Sequence, residues 1–167
     1  YEEEFKALGC KVLVYRRKPD PDYENADLDA LLQQSDVQKI YHAITFGGPA
    51  EDRGIIDAPI ARRPLPSLLR FVDISGKPSV TEFTVLQRQE STSLLALRPV
   101  TGRTHQLRVH CAHMGYPILG DPQYGSQESK AYSQEKHLPH QLLCAKILEF
   151  QHPITGEQMR IESKYCI

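Results

Sequence analysis

At 167 residues, 40% apolar and 25% charged, the chain has the make-up of one ordinary soluble globular domain, long enough to bury a sizeable core. A formal net charge of −1 excludes attraction to a polyanion by bulk charge, so any nucleic-acid site has to come from local clustering. The residues show no signal-peptide pattern and no apolar run long enough to cross a bilayer, and Cys10, Cys111, Cys144 and Cys166 form no CxxC pair and read as free thiols of a reducing compartment.

In chain order, Cys10 to Tyr15 alternates as a short strand, and the acidic, proline-punctuated Pro19 to Asp27 is a loop. Ala26 to Gln34 has the leucine spacing of a short helix. Lys39 to Phe46 is a strand with Ile40, Ile44 and Phe46 on one face and Tyr41, Ala43 and Thr45 on the other. Gly54 to Ile60 is a second short strand, ended by the basic turn Arg62-Arg63-Pro64, and the prolines from Pro59 to Pro66 exclude a regular interior strand. Ser79 to Gln87 and Ser93 to Pro99 form an antiparallel pair across the polar turn Arg88 to Thr92. Thr81, Phe83 and Val85 share one face of the first of them. Ser126 to Lys136 reads as an exposed polar loop, Leu142 to Phe150 as a strand, Pro153 to Gly156 as a hairpin turn and Gln158 to Glu162 as a last strand. The expected fold is α+β, a mostly antiparallel mixed β-sheet with few helices, in a single domain over 1–167.

The stretch TGRTHQLRVHCAHMGYPILGD, from Thr101 to Asp121, is the most informative. Leu107, His110, Cys111 and Met114 fall on one helical face, with Thr104 as N-cap and Gly115 as stop. Arg103 and His105 then sit at a helix start, where backbone N–H groups point at any anion; structural capping is the other reading of both. Arg108, amid Leu107, Val109 and Cys111, is a partly buried guanidinium that needs a carboxylate. His105, His110, Cys111 and His113 are close in sequence, but the usual second cluster of metal ligands is missing, and no metal is expected. Arginines recur at Arg62, Arg63, Arg70, Arg98, Arg103 and Arg108, as either an anion-binding surface or a solvated face.

The same stretch resembles motif III of the RluA-type RNA pseudouridine synthases: T-G-R-T-H-Q-L-R-V-H at Thr101 to His110, G-Y-P-I at Gly115 to Ile118, Gly120-Asp121, and Tyr124-Gly125. Motif II, K-x-Y-x-A, matches Lys39, Tyr41 and Ala43, and Gly76-Lys77 with Ser79 and Thr81 matches a further family turn. Gly54 to Ile60 matches the segment after motif II. Near the C-terminus Cys144 stands where the family often has histidine, which puts that side chain's role in doubt but not the strand's.

The resemblance covers about Lys39 to Ser163, with 1–35 a poorly matched lead-in. It implies a pseudouridine synthase-like catalytic domain, C-terminal portion, with Tyr41 stacked on a flipped uracil, Arg108 paired with the catalytic aspartate and Leu107 walling the pocket. It further implies structured RNA, ribosomal or transfer, as partner, with Arg103, His105, Arg62, Arg63 and Lys77 facing it. The expected protein is a monomer that needs no cofactor, no metal and no membrane. Its default location is the cytoplasm, with a mitochondrial one left open by the unseen N-terminus. The R-L-D and T-S-G segment that supplies the aspartate in this family is not found. Asp29 has no preceding arginine, no following Thr-Ser-Gly, and lies too close to Lys39. Two expectations stand: a piece of a pseudouridine-forming enzyme, or an RNA-binding scaffold of the same fold without catalysis.

Overall fold

The computed structural model describes residues 37–151 and 156–164. The chain divides into two compact units, Tyr1–Gln34 and Ser35–Ile167, and every described residue belongs to the second. The strand at Cys10 to Tyr15, the loop at Pro19 to Asp27, the helix at Ala26 to Gln34 and Asp29 lie outside the described residues.

The element order is β1 (Gln38–Phe46), β2 (Arg53–Asp57), β3 (Ile60–Arg62), β4 (Arg70–Val72), β5 (Val80–Arg88), β6 (Thr92–Pro99), α1 (Gln106–His113), α2 (Gln127–Glu135), β7 (Leu143–Gln151) and β8 (Gln158–Glu162). Six strands form an antiparallel sheet in the order β2-β5-β6-β1-β7-β8, and β3 and β4 form a separate two-stranded ribbon. The expected α+β sheet is therefore present.

Period-two alternation explains the sheet's inner face. Thr81 and Phe83 of β5, Leu95 and Leu97 of β6, and Ala43 and Thr45 of β1 are all buried, and helix α1 adds Leu107 and Cys111 to the same core. Tyr41 packs against that core from β1. The opposite face carries the directly opposed pair Glu82 and Arg98, joined by two hydrogen bonds of 2.8 and 2.9 Å. On β1 the more deeply buried side chains are thus those beside Tyr41, while Ile44 and Phe46 are only half-buried. Phe46 is instead met by Tyr132 of α2, ring centroids 5.5 Å apart.

Three expectations are corrected. The segment from Gly54 to Ile60 is not one strand. Ala58-Pro59 ends β2, and Ile60 opens the ribbon strand β3, because proline lacks the N–H that would continue the ladder. Thr104 is not the N-cap of α1. His105 holds that position in a left-handed conformation, φ 59°, without a side-chain cap. Its place is fixed by tertiary bonds described below. Finally, Ser126 to Lys136 is not a loop. Ser126 caps α2, accepting a hydrogen bond from the Ser129 N–H at 3.1 Å. Ser129 and Ser133 are buried, and Ser133 Oγ accepts from the Gly120 N–H while donating to the Ser129 carbonyl.

Helix α1 stops as the sequence suggests. Gly115 has φ 85°, and its N–H and that of Tyr116 bond back to Ala112 and Cys111 at 3.0 Å each, closing a Schellman motif. The segment after it is laced to β1: the Phe46 N–H reaches Pro117 O, and the Leu119 N–H reaches Ile44 O, both at 2.9 Å. Gly120 then turns with φ 73°, where a Cβ would lie 2.1 Å from the His140 carbonyl oxygen. That turn delivers Asp121 beside α1.

Candidate nucleic-acid interface

Four basic side chains converge on one groove. Arg62 and Arg70 come from the ribbon, Lys77 from the turn before β5, and Arg103 from the loop before α1. The groove encloses about 610 Å³ and is also lined by Ile60, Ala61, Ser75, Gly76, Gly102 and Thr104. The ribbon's position explains the convergence. The β3 residue Ile60 bridges back to Lys77, and the Ile60 and Lys77 backbones exchange two hydrogen bonds of 2.9 Å. Among the described residues none of these four cations is paired with a carboxylate. Arg88, Arg98, Arg108 and Arg160 each are, with Asp52, Glu82, Asp121 and Glu149. Four cations without a carboxylate partner among the described residues thus line one groove.

The loop that carries Arg103 is held by one buried amide. Gln106 Oε1 accepts from the Thr101 hydroxyl at 2.8 Å and the Arg103 N–H at 2.9 Å. Its Nε2 donates to Val80 O at 2.9 Å and to Thr81 Oγ1 at 3.0 Å. All four of its bonding positions are used at 4% exposure. The network continues to His110, fully buried, whose Nε2 lies 3.0 Å from Ala58 O and whose Nδ1 lies 2.9 Å from Thr81 Oγ1. The carbonyl can only accept, so Nε2 carries the proton and the Thr81 hydroxyl donates to Nδ1. Burial pushes the His110 pKa down, partly opposed by the Ala58 bond. With both ring nitrogens engaged, His110 is not open as a metal ligand. No cluster of three metal-ligating side chains occurs among the described residues.

Arg108 has its carboxylate inside this chain. Asp121 takes its guanidinium in a two-point fork, Nε to Oδ2 at 2.8 Å and Nη2 to Oδ1 at 2.7 Å, with the side chains 11% and 1% exposed. Nη2 also donates to Gln123 Oε1 at 2.8 Å, and the Tyr124 ring lies under the guanidinium at 4.8 Å. Burial is the largest influence on the Asp121 carboxyl and opposes its ionisation. The bonds from Arg108 and from the Gln123 and Tyr124 N–H groups outweigh it, so its pKa sits below the ordinary carboxylate value. Nη1 of Arg108 makes no hydrogen bond among the described residues. The resemblance implies a partner in a segment not found in this sequence. Gly120-Asp121 belongs to the same motif, but the resemblance assigns Asp121 no role.

Tyr41 and Leu107 both pack into or against the central core. A register shift between Ile40 and Tyr41, where β1 meets β7, marks Tyr41 as a position of local irregularity. Arg62, Lys77 and Arg103 share the groove, and Arg70 joins them. Arg63 does not line it; its guanidinium lies over Phe71 at 5.7 Å. His105 Nδ1 is 2.8 Å from Tyr124 Oη, which also accepts the Arg70 N–H at 3.0 Å. Tyr124 Oη thus ties the ribbon to the start of α1. Burial, then the charges of Arg108 and Arg70, lower the His105 pKa, so the ring is a neutral hydrogen-bonding group at neutral pH. Burial pushes the Cys111 thiol up to about 12, which makes it inert.

An antiparallel sheet backed by a short helix, with a cationic groove beside the helix start, defines the class: an α+β domain with one basic groove. Comparison with known proteins gives the family. A model described as RNA pseudouridylate synthase matches residues 25–113. The chain is similar to ribosomal large subunit pseudouridine synthase C of Vibrio parahaemolyticus, 36% identical over 136 residues, covering 81% of this chain and 43% of that protein. It is also similar to ribosomal large subunit pseudouridine synthase D of Pseudomonas aeruginosa, 40% identical over 143 residues, with 81% and 44% covered. Among solved structures, human RNA pseudouridylate synthase domain containing 1 superposes with a TM-score of 0.70 at 28% identity, covering 84% of this chain and 59% of that one. Human RNA pseudouridylate synthase domain containing 4 does so at 0.61 and 26%, covering 83% and 60%. The chain belongs to the RNA pseudouridylate synthase family, of the RluA type. It spans less than half the length of those two curated relatives.

Proposed function

We propose that this chain is the RNA-seating part of a pseudouridine synthase, acting on structured ribosomal or transfer RNA as a monomer in the cytoplasm. The observation that carries the proposal is the convergence of Arg62, Arg70, Lys77 and Arg103, none paired with an acid among the described residues, on one groove. A chain of net charge −1 places four cations without a carboxylate partner on one groove, which fits a phosphate backbone. The relatives' names, ribosomal large subunit pseudouridine synthases, support RNA as the polyanion.

In the proposed reaction the N1–C1′ bond of uridine breaks, the uracil turns within its pocket, and C5 bonds to C1′. The hydrogen on C5 leaves to solvent and N1 gains one, so atoms and electrons balance without a redox partner. Tyr41 supplies a π-face that replaces the stacking lost by the flipped base, and Leu107 contributes to the wall behind it. Arg108, fixed by Asp121, Gln123 and Tyr124, has only Nη1 left to offer an incoming carboxylate or the substrate.

The test is tritium release from RNA labelled at C5 of uridine, using the protein that carries this chain. Release above background is expected. It should fall by about a hundredfold or more in Tyr41→Ala and Arg108→Ala, the order of effect that lost positioning of a reacting group produces. Melting of Tyr41→Ala and Arg108→Ala separates lost chemistry from lost folding, since breaking the Arg108–Asp121 pair also costs stability, and Tyr41→Phe, which keeps the ring, should retain release. No release from any labelled RNA, with RNA still bound, would replace this reading with the non-catalytic scaffold.

A further inference from the structure

Between the cationic groove and Arg108 stands Tyr124, half-buried and in contact with both sides. Its ring lies under the Arg108 guanidinium, 4.8 Å from Cζ to the ring centre. Its hydroxyl oxygen accepts the backbone N–H of Arg70 at 3.0 Å and lies 2.8 Å from His105 Nδ1. Arg70 is the groove cation on β4. His105 opens α1, next in sequence after the groove residues Gly102, Arg103 and Thr104 and three residues before Arg108. The His105 and Tyr124 rings also meet edge to face, centroids 5.7 Å apart at 73°. One side chain therefore touches the ribbon, the start of α1 and the guanidinium one turn further along.

Tyr124 is itself firmly placed. Asp121 Oδ1 accepts the N–H groups of Gln123 at 2.9 Å and Tyr124 at 3.1 Å, so the carboxylate that forks Arg108 also fixes the Tyr124 backbone. The Gly125 N–H bonds Asp121 O at 3.2 Å, and a Cβ there would lie 2.7 Å from that oxygen and 3.0 Å from Ser129 Oγ, so the turn is closed against α2. The groups that Tyr124 touches are less self-sufficient. His105 sits at φ 59°, a region that residues other than glycine rarely adopt, and has no side-chain cap. The Arg108 guanidinium is hydrogen-bonded through Nε and Nη2 alone. A plane gripped by one edge can still rock about that edge, and the tyrosine ring beneath its face limits the rocking.

We propose that Tyr124 is a positioning residue with two separable parts. Its hydroxyl sets the ribbon against the loop before α1 at the spacing that seats RNA, and its ring sets the tilt of Arg108 and so the direction of Nη1. The inference rests on the reading of the chain as the RNA-seating part of a synthase with Arg108 at the reacting site, and adds to it the side chain that joins the seat to that site.

The experiment follows single-turnover tritium release from C5-labelled RNA with increasing amounts of the protein that carries this chain, as wild type, Tyr124→Phe and Tyr124→Leu. The saturating rate reads the chemistry, and the half-saturating concentration reads RNA seating. Tyr124→Phe keeps the ring and loses the hydroxyl, so half-saturation should rise roughly tenfold while the saturating rate stays within about threefold. Tyr124→Leu loses both. It should show the same rise and, relative to Tyr124→Phe, a further fall in saturating rate of roughly tenfold or more. Melting is recorded for each variant, and rates are taken well below the lowest transition. Wild-type half-saturation in Tyr124→Phe, which differs by one oxygen atom, overturns the inference even where the leucine variant does not fold. Equal saturating rates in the two variants overturn it as well. So does a fall of both quantities together in step with melting, the result of a merely structural tyrosine. In each of these cases the wild type still releases tritium, and the underlying reading stands. A wild type that releases none from any labelled RNA overturns both.

Discussion

Arg108 and Asp121 show how much a single residue's meaning depends on its partner. With both side chains almost wholly buried, each ion is tolerable only because the other is present. Asp121→Ala is therefore expected to destabilise the domain by about 3 kcal/mol or more, read from denaturant unfolding, because it strands a guanidinium. Arg108→Met combined with Asp121→Leu should recover most of that loss. If the single and double variants are equally unstable, the pair is not the unit described here. The sign with pH follows from the depressed Asp121 carboxyl. Its contribution is present above the ordinary carboxylate range and is lost as pH falls through its folded value. The need for a carboxylate was legible in the sequence, since an arginine between leucine and valine on a helix predicts one. Its identity was not, because pairing across thirteen residues depends on the turn at Gly120.

His110 belongs to the same scale and gives a milder pH effect. Its folded pKa lies below the ordinary 6.5, so the unfolded chain binds the proton more readily. Stability is full above about pH 6.5 and declines as pH falls from there towards the folded value. His110→Gln should flatten the melting temperature between about pH 7 and pH 5, apart from what His42 and His105, also lowered, contribute. An unflattened profile would mean that His110 is already protonated when folded.

At the scale of elements, Gln106 ties the loop before α1 to the first residues of β5. Gln106→Ala is expected to cost about 2 kcal/mol, from buried bonding groups left unpaired. It should also weaken RNA binding although Gln106 itself is buried, because Arg103 loses its fixed backbone. RNA affinity unchanged in that variant would show that the loop is held by other means. The strands were legible because alternation is strong in them: β5, β6, β7 and β8 fall within a residue or so of their expected bounds. Helix α2 was not, because its buried stripe is made of Ser129 and Ser133 rather than of apolar residues, and serines in a polar segment read as loop. The left-handed His105 was hidden for a related reason. Thr104 is the better cap by propensity, but the bond to Tyr124 fixes the histidine instead.

For the whole molecule, overall charge is uninformative and local charge decides. Arg98 was grouped with the arginines expected to cluster, yet it faces away from the core against Glu82, while Arg62, Arg70, Lys77 and Arg103 meet only because the ribbon folds back on the start of β5. Sequence order could not separate these, since the separation lies in which face each strand presents. The measurement that tests the account most directly is the salt dependence of binding to a looped RNA, for the wild type and for Arg103→Ala. With four cations in the groove, log K should fall against log salt with a slope of roughly −3, and Arg103→Ala should make it shallower by about one unit. Binding that ignores salt, or a slope unchanged by Arg103→Ala, would contradict the claim that this groove holds the RNA backbone.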